Sequence, residues 1–464
     1  TNAGVLNITI NSVKNDHTPD TPTPPPGPGP SPSSPYIGTT ATVSVTKDHI
    51  AKADSKVTIV DKVAYHNLVP GKEYVLKGTL MDKSTGKELL VGGKKVTAEA
   101  RFKPEKSDGT VDMSFTFDGS SLKGKDVVVF EELYVMTDTD NNPETPDEEK
   151  KVTEHKDIND DGQTVHFPEI KTTAVDSNTK DHVANADGKV TIIDTVKYTN
   201  LIPGKEYTVS GVLMDKTTGK AILVDGKKVT ASKTFTPDKA DGSIELEFTF
   251  DAAALAGTTT VVFETLKYDG KEVAVHKDIK DKDQTVYIPE IKTSAAQTAK
   301  GKITDIVRYT NLQPGKEYTL KGTLMDKATG KPVKIDGKEI IAQKIFIPTT
   351  SSGSAKVTFT FDADVMVGKT TVVFEELYLK GKLVAKHKDL KDKDQTVKIG
   401  EKIGTVDVET DITPGSGDDG NVGLTPQTGD TTLIWPYIAL LIIALGVITL
   451  LIAKRKNRQN KENK

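Results

Sequence analysis

Three sets of five side chains recur along this chain, and each set holds the parts needed to join a hydroxyl to a carboxamide. The sets are Thr39, Asp61, Glu131, His155 and Gln163; Thr172, Asp194, Glu264, His276 and Gln284; and Thr293, Asp305, Glu375, His387 and Gln395. In each, the His stands eight residues before the Gln and the Glu directly follows Val-Phe. A carboxamide is a weak electrophile and a Thr hydroxyl a weak nucleophile, so the reaction needs a base for the hydroxyl and an acid for the amide. The His can serve as the base. Two carboxyls close together in a dry core cannot both ionise, so the Asp and Glu would share a proton and offer an O–H to the amide. Ammonia would leave, a Thr-to-Gln ester would remain, and exclusion of water would preserve it.

Side chains on a strand alternate between its two faces, so parity tells which of these residues point at a core. Asp61 is in phase with Val57, Ile59, Val63 and Tyr65; Asp194 with Val190, Ile192, Val196 and Tyr198; Asp305 with Ile303, Val307 and Tyr309. Gln163, Gln284 and Gln395 are in phase with the apolar residues that follow them, and Thr39, Thr172 and Thr293 each sit two residues from an Ile and an Ala. Thr40 and Thr173 are adjacent hydroxyls, but their phase is outward and the third equivalent is Ser294. The phase of the three His residues is not decided by their small or polar neighbours. Inward Asp, Glu and Gln are costly unless paired, which leaves two explanations: a satisfied polar network that fixes strand register, or the chemistry above.

The elements that must position these groups are short, alternating and rich in Val, Ile, Thr and Tyr, and Pro-Gly and Thr-Gly turn signals separate them. The landmarks repeat from Ile37, Ile170 and Ile291, at spacings of 133 and 121 residues, which is the size of whole domains. The expected fold is all-β, with three tandem immunoglobulin-like β-sandwich domains over 37–168, 169–289 and 290–400. Phe167-Pro168-Glu169-Ile170 and Ile288-Pro289-Glu290-Ile291 leave almost no linker, so the array reads as a rod of units roughly 35 to 40 Å long. Residues 1–16 could close an upstream domain, and the Pro-rich stretch 17–36 reads as an extended spacer. Beyond a flexible linker over 401–424, the segment 425–464 carries an apolar run at 433–453, long enough for a transmembrane helix, and a basic tail.

With these residues in view, the modules resemble the Thr-Gln ester-bond domains of Gram-positive surface adhesins, also called VaFE repeats. The signature is present as Val128-Val129-Phe130-Glu131, Val261-Val262-Phe263-Glu264 and Val372-Val373-Phe374-Glu375, and a His-Lys-Asp-x-x-Asp-x-x-Gln-Thr-Val run follows each. The resemblance implies that the Thr of the first strand bonds the Gln of the last, assisted by the His, Asp and Glu. Leu424-Thr425-Pro426-Gln427-Thr428-Gly429 resembles a cell-wall sorting signal, in which a sortase cuts after Thr428 and before Gly429. Peptidoglycan, or a pilus subunit, would then be joined to Thr428, and the apolar helix would hold the chain in the membrane before that step. The usual motif has Leu where Thr425 stands.

Composition narrows the alternatives. With 62 basic and 66 acidic residues the net charge is -4 and no basic field invites nucleic acid. The chain has no Cys, so an extracellular location would need a staple other than a disulfide. No signal peptide precedes Thr1, so the chain reads as the C-terminal part of a longer or processed protein. No metal or cofactor is expected: the acidic insert around Asp138 has Pro143 where a calcium loop needs Gly. Asn67, Asn200 and Asn311, each just before a Pro-Gly turn, are expected to cap that turn, and the remaining His residues, read as not recurring in register, to be surface groups. The leading reading is a wall-anchored stalk, not an enzyme, lifting a binding region whose host ligand is unknown. The alternative is that the modules themselves bind a host protein or glycan.

Overall fold

The structure, a computed structural model, describes residues 34–137, 148–186 and 188–400. The segment 1–16, most of the Pro-rich spacer, most of the acidic insert, and everything from residue 401 on, including the sorting signal and the apolar run, lie outside the described residues. Among the described residues no helix is long and apolar enough to cross a membrane.

Each module is a pair of antiparallel sheets around one core. In module two the opening strand, Glu169–Asp176, pairs with the Asp strand, Lys189–Thr199, which pairs in turn with Gly242–Asp251. The second sheet runs Thr230–Phe235, Tyr207–Asp215, then the Glu strand Thr258–Tyr268. The far edge of the Glu strand is shared: the Gln strand, Thr285–Ile288, pairs with its first half, and the His strand, Lys271–His276, with its second. The burial pattern of the Asp strand alternates along its length, with Val190, Ile192, Asp194, Val196 and Tyr198 all inward. Ile192 and Val196 from the first sheet and Val209, Leu213, Val262 and Leu266 from the second close one apolar core.

Modules one and three repeat this plan. Their opening strands are Tyr36–Val43 and Glu290–Ala299, their Asp strands Val57–His66 and Lys302–Thr310, and their Glu strands Lys125–Thr137 and Thr370–Leu379. The His strands are Glu148–His155 and Lys382–His387, and the Gln strands Thr164–Phe167 and Thr396–Lys398. Pro168 alone separates the last strand of module one from the first of module two, as the sequence predicts.

Two expectations are corrected at the module ends. Asn67, Asn200 and Asn311 adopt left-handed backbone angles (φ 61°, 65° and 55°), but their side chains do not cap their own turns. The Asn200 amide donates to the Lys125 carbonyl at 2.8 Å and to Asp126 at 2.7 Å, the Asn311 amide donates to Gly257 O, and that of Asn67 to Ser34 O at 3.3 Å. Each therefore reaches back to the segment that precedes its module. The second correction concerns His49 and His182, which recur in register and whose Nδ1 atoms are buried.

Candidate cross-linking site

Backbone hydrogen bonds place the Gln between the two sheets. Just before it, the carbonyls of Gly162, Asp283 and Asp394 accept from Ala41, Ala174 and Ala295 on the opening strands, at 2.9, 2.8 and 2.8 Å. The Gln's own carbonyl accepts from Val129, Val262 or Val373 on the Glu strand, at 3.2, 3.2 and 3.0 Å. The Gln side chain is thereby pointed into the core, with the Thr on one side and the Glu on the other. Strand register supplies the rest: Asp194 faces Ala174, two residues from Thr172, and Glu264 pairs with His276 where the His and Gln strands part.

The side chains meet as the sequence predicts. The Gln284 amide donates to Thr172 Oγ1 at 2.5 Å and also contacts Glu264. Gln163 contacts Thr39 and donates to both Glu131 oxygens at 2.6 Å, and Gln395 contacts Thr293. All three Asp, all three Glu and all three Gln of the sets are fully buried, and Thr172 and Thr293 nearly so. Thr40, Thr173 and Ser294 are exposed, as their phase requires.

Burial drives the electrostatics. Removal from water raises the pKa of Asp61, Asp194 and Asp305, and their Glu partners offset part of the rise. Glu131, Glu264 and Glu375 are raised further, first by burial and then by the charge of the adjacent Asp. Each Asp carboxyl interacts with its partner Glu, and those of modules two and three also with Thr172 and Thr293. Of each pair the Glu is the member more strongly driven toward its protonated form.

The His residues sit at the rim, about one-fifth exposed. His276 Nε2 is 2.8 Å from Asp281 Oδ2, and its Nδ1 is 3.2 Å from the Ile170 carbonyl oxygen on the opening strand. Asp160 and Asp392 hold His155 and His387 in the same way, at 2.9 and 3.0 Å. These three Asp residues were given no role from the sequence alone, because they lie on a loop where strand parity says nothing. Their fixed place, five residues after the His in every copy, was the available signal. A second missed group is the Lys of Leu-Met-Asp-Lys: Lys83, Lys216 and Lys327 donate to Thr164, Thr285 and Thr396, at 3.0, 2.7 and 2.8 Å, and so brace the residue that follows each Gln.

Module three departs in one respect. Glu375 makes no hydrogen bond to Gln395, and both its oxygens lack a donor. Its carboxylate leans instead toward Gly322, where an added Cβ would stand 2.5 Å from Oε1.

A family model described as the T-Q ester bond containing domain matches residues 35–167, 168–288 and 290–399. The chain belongs to that family. No curated protein matches the chain. Among solved structures, two crystal forms of a Mobiluncus mulieris adhesin, described as containing intramolecular disulfide, isopeptide and ester bond cross-links, are similar to it. One is 17% identical over 57% of this chain and 88% of that one, with a TM-score of 0.24. The other is 14% identical over 71% and 100%, also at 0.24. A β-D-mannosidase from Dictyoglomus thermophilum is 9% identical over 61% of this chain and 40% of that one, at 0.20.

Proposed function

We propose that each module welds its own first and last strands by a single-turnover reaction, joining Thr39 to Gln163, Thr172 to Gln284 and Thr293 to Gln395. The observation that carries this reading is the contact of a buried Gln amide with a Thr hydroxyl beside a buried Asp–Glu carboxyl pair. In module two, His276, held by Asp281 through Nε2, turns Nδ1 from the Ile170 carbonyl to take the proton of Thr172 as Oγ1 attacks Cδ of Gln284. Glu264, sharing its proton with Asp194, donates toward the Gln as the tetrahedral centre forms. His276 then passes the Thr172 proton to Nε2 of Gln284, the C–N bond breaks, the amide nitrogen leaves as ammonia with that one added proton, Glu264 recovers its own proton as the carbonyl re-forms, and an Oγ1–Cδ ester remains. Replacing Thr172 by Ala shrinks the deficit between measured and calculated mass by about 17 Da, the weight of one ammonia, whereas replacing the exposed Thr173 leaves the deficit unchanged. A Thr173→Ala chain whose deficit shrinks instead would reverse the assignment.

The modules form immunoglobulin-like sandwiches that build the stalk of a surface adhesin or pilin-like protein, extracellular and attached to the cell wall through Thr428. Changing Thr428 and Gly429 together moves the protein from the wall fraction to the membrane and the medium; an unaltered wall fraction rejects the anchoring step. One observation favours the second reading, that a module binds a partner itself. Ile341, Ile345 and Ile347 are exposed along one edge of module three, where module one has Thr97, Arg101 and Lys103 and module two has Thr230, Thr234 and Thr236. Loss of host-surface binding on changing these three Ile to Thr would favour that reading.

A further inference from the structure

The loop that joins the opening strand to the Asp strand reads Thr46-Lys47-Asp48-His49-Ile50-Ala51 in module one and Thr179-Lys180-Asp181-His182-Val183-Ala184 in module two. The two loops are built alike. Thr46 and Thr179 donate to the carbonyls of Ile50 and Val183, each at 2.7 Å, and the Asp accepts from the following His N–H at 2.7 and 2.8 Å. Lys47 and Lys180 take left-handed angles (φ 58° and 53°) that turn the chain between them. The backbone of each loop then lies parallel to the Gln strand of its own module, Ile50 against His166 and Val183 against Tyr287. Ala51 and Ala184 donate to those residues' carbonyls, both at 2.9 Å.

The side chains of the same loops belong to the next module. Ile50 is fully buried in the core of module two, and Val183 in the core of module three. Asp48 accepts from Lys205 at 2.8 Å and from the Tyr268 hydroxyl, and Asp181 accepts from Lys316 at 3.0 Å and Lys380 at 2.6 Å. Lys205 and Lys316 are the Lys of the Pro-Gly-Lys-Glu-Tyr turn, while Tyr268 and Lys380 come from the bend between Glu and His strands. Burial alone would raise both Asp groups. The donors outweigh it and hold each at about 2, so these contacts persist at any physiological pH. Module three has no such loop: its opening and Asp strands are joined by a tight hairpin at Lys300-Gly301, and Gln297 instead bonds both ways with Gly400 at 3.0 Å.

We propose that the Thr-Lys-Asp-His-Ile/Val-Ala loop is a docking key whose partner is the leading end of the following ester-bond module. The Asp seats on the Lys of that module's Pro-Gly-Lys turn, the branched aliphatic residue enters its core, and the loop backbone stays bonded to the strand that carries the cross-linked Gln. The key sets the angle between successive modules and hands load from the Gln strand to its neighbour along a second route beside the covalent junction. A module that carries the key holds its follower at a fixed angle, and a module built like the third does not.

The chain contains no Cys, so pairs of spin labels can be placed at will. Labels on Ser114→Cys and Glu247→Cys report the junction of modules one and two, and labels on Glu247→Cys and Thr358→Cys report that of two and three; all three parent residues are exposed and structurally equivalent. In the full chain each pair is expected to give a narrow distance distribution. Asp48→Ala with Ile50→Ala at least doubles the width for the first pair and leaves the second unchanged, and Asp181→Ala with Val183→Ala does the reverse. Lys205→Ala, a surface change on the partner module, broadens the first pair as well, and it keeps the test valid if the Ile50 change loosens the core of module two. Distributions that are already broad in the parent, or that stay narrow in all variants, overturn the proposal.

Discussion

A proton shared by Asp194 and Glu264 makes the module's stability depend on pH in a definite direction until the bond has formed. Both groups have folded-state pKa values raised above their unfolded ones, mainly by burial. Such groups add stability below the unfolded value of an ordinary carboxylate and lose it as pH rises through the folded value. Module two in a Thr172→Ala chain, which keeps the pair but cannot make the ester, therefore melts at a lower temperature as pH is raised from 5 to 8. The expected slope is about 1.4 kcal/mol per pH unit per retained proton. A melting temperature that rises over that range would show the pair to be ionised. Glu264→Gln removes the acid at nearly constant shape, so this chain should keep its strands by circular dichroism yet lack one ammonia loss. Module three, whose Glu375 is turned from Gln395, is expected to complete its bond last when freshly refolded protein is followed by mass. The Thr, Asp, Glu and Gln of each site were legible in the sequence because a period of two fixes the face of every strand residue. Asp160, Asp281 and Asp392 were not, since loop residues carry no such phase.

Among the elements, the Glu strand depends on the close approach of a glycine. Gly211 stands opposite Glu264 on the neighbouring strand, and a Cβ there would come within 2.5 Å of the Phe248 ring. Gly211→Ala must push Phe248 aside, with an expected cost of about 1 to 3 kcal/mol and a slower ammonia loss from module two as the Glu strand shifts. Unchanged stability and rate would mean that the ring has room to move. Strand identities and the near-absence of linkers followed from alternation and turn chemistry. What alternation could not give was which strand lies beside which, so the shared edge of the His and Gln strands emerged only with the fold. The same limit hid the role of Asn200, read as capping its own turn when its amide in fact reaches Lys125 of the preceding module.

At the scale of the whole molecule, tension on a surface-bound chain enters each module at its opening strand and leaves at its Gln strand. An ester between those strands carries the load past the rest of the sandwich. It also closes a loop of 112 residues between Thr172 and Gln284, worth about 4 to 5 kcal/mol if disulfide chain-entropy reasoning is carried over to an ester. Gln284→Ala should accordingly lower the melting temperature of module two by about 10 to 20 °C and make it extend under force, while modules one and three stay inextensible. Equal extension of parent and variant would rule out the load-bearing role. All of this rests on the three bonds being made, which the intact mass of a recombinant chain spanning residues 34–400 tests directly. Three completed esters place that mass about 51 Da below the value calculated from the sequence, one ammonia of about 17 Da for each. A mass equal to the calculated value would contradict the account.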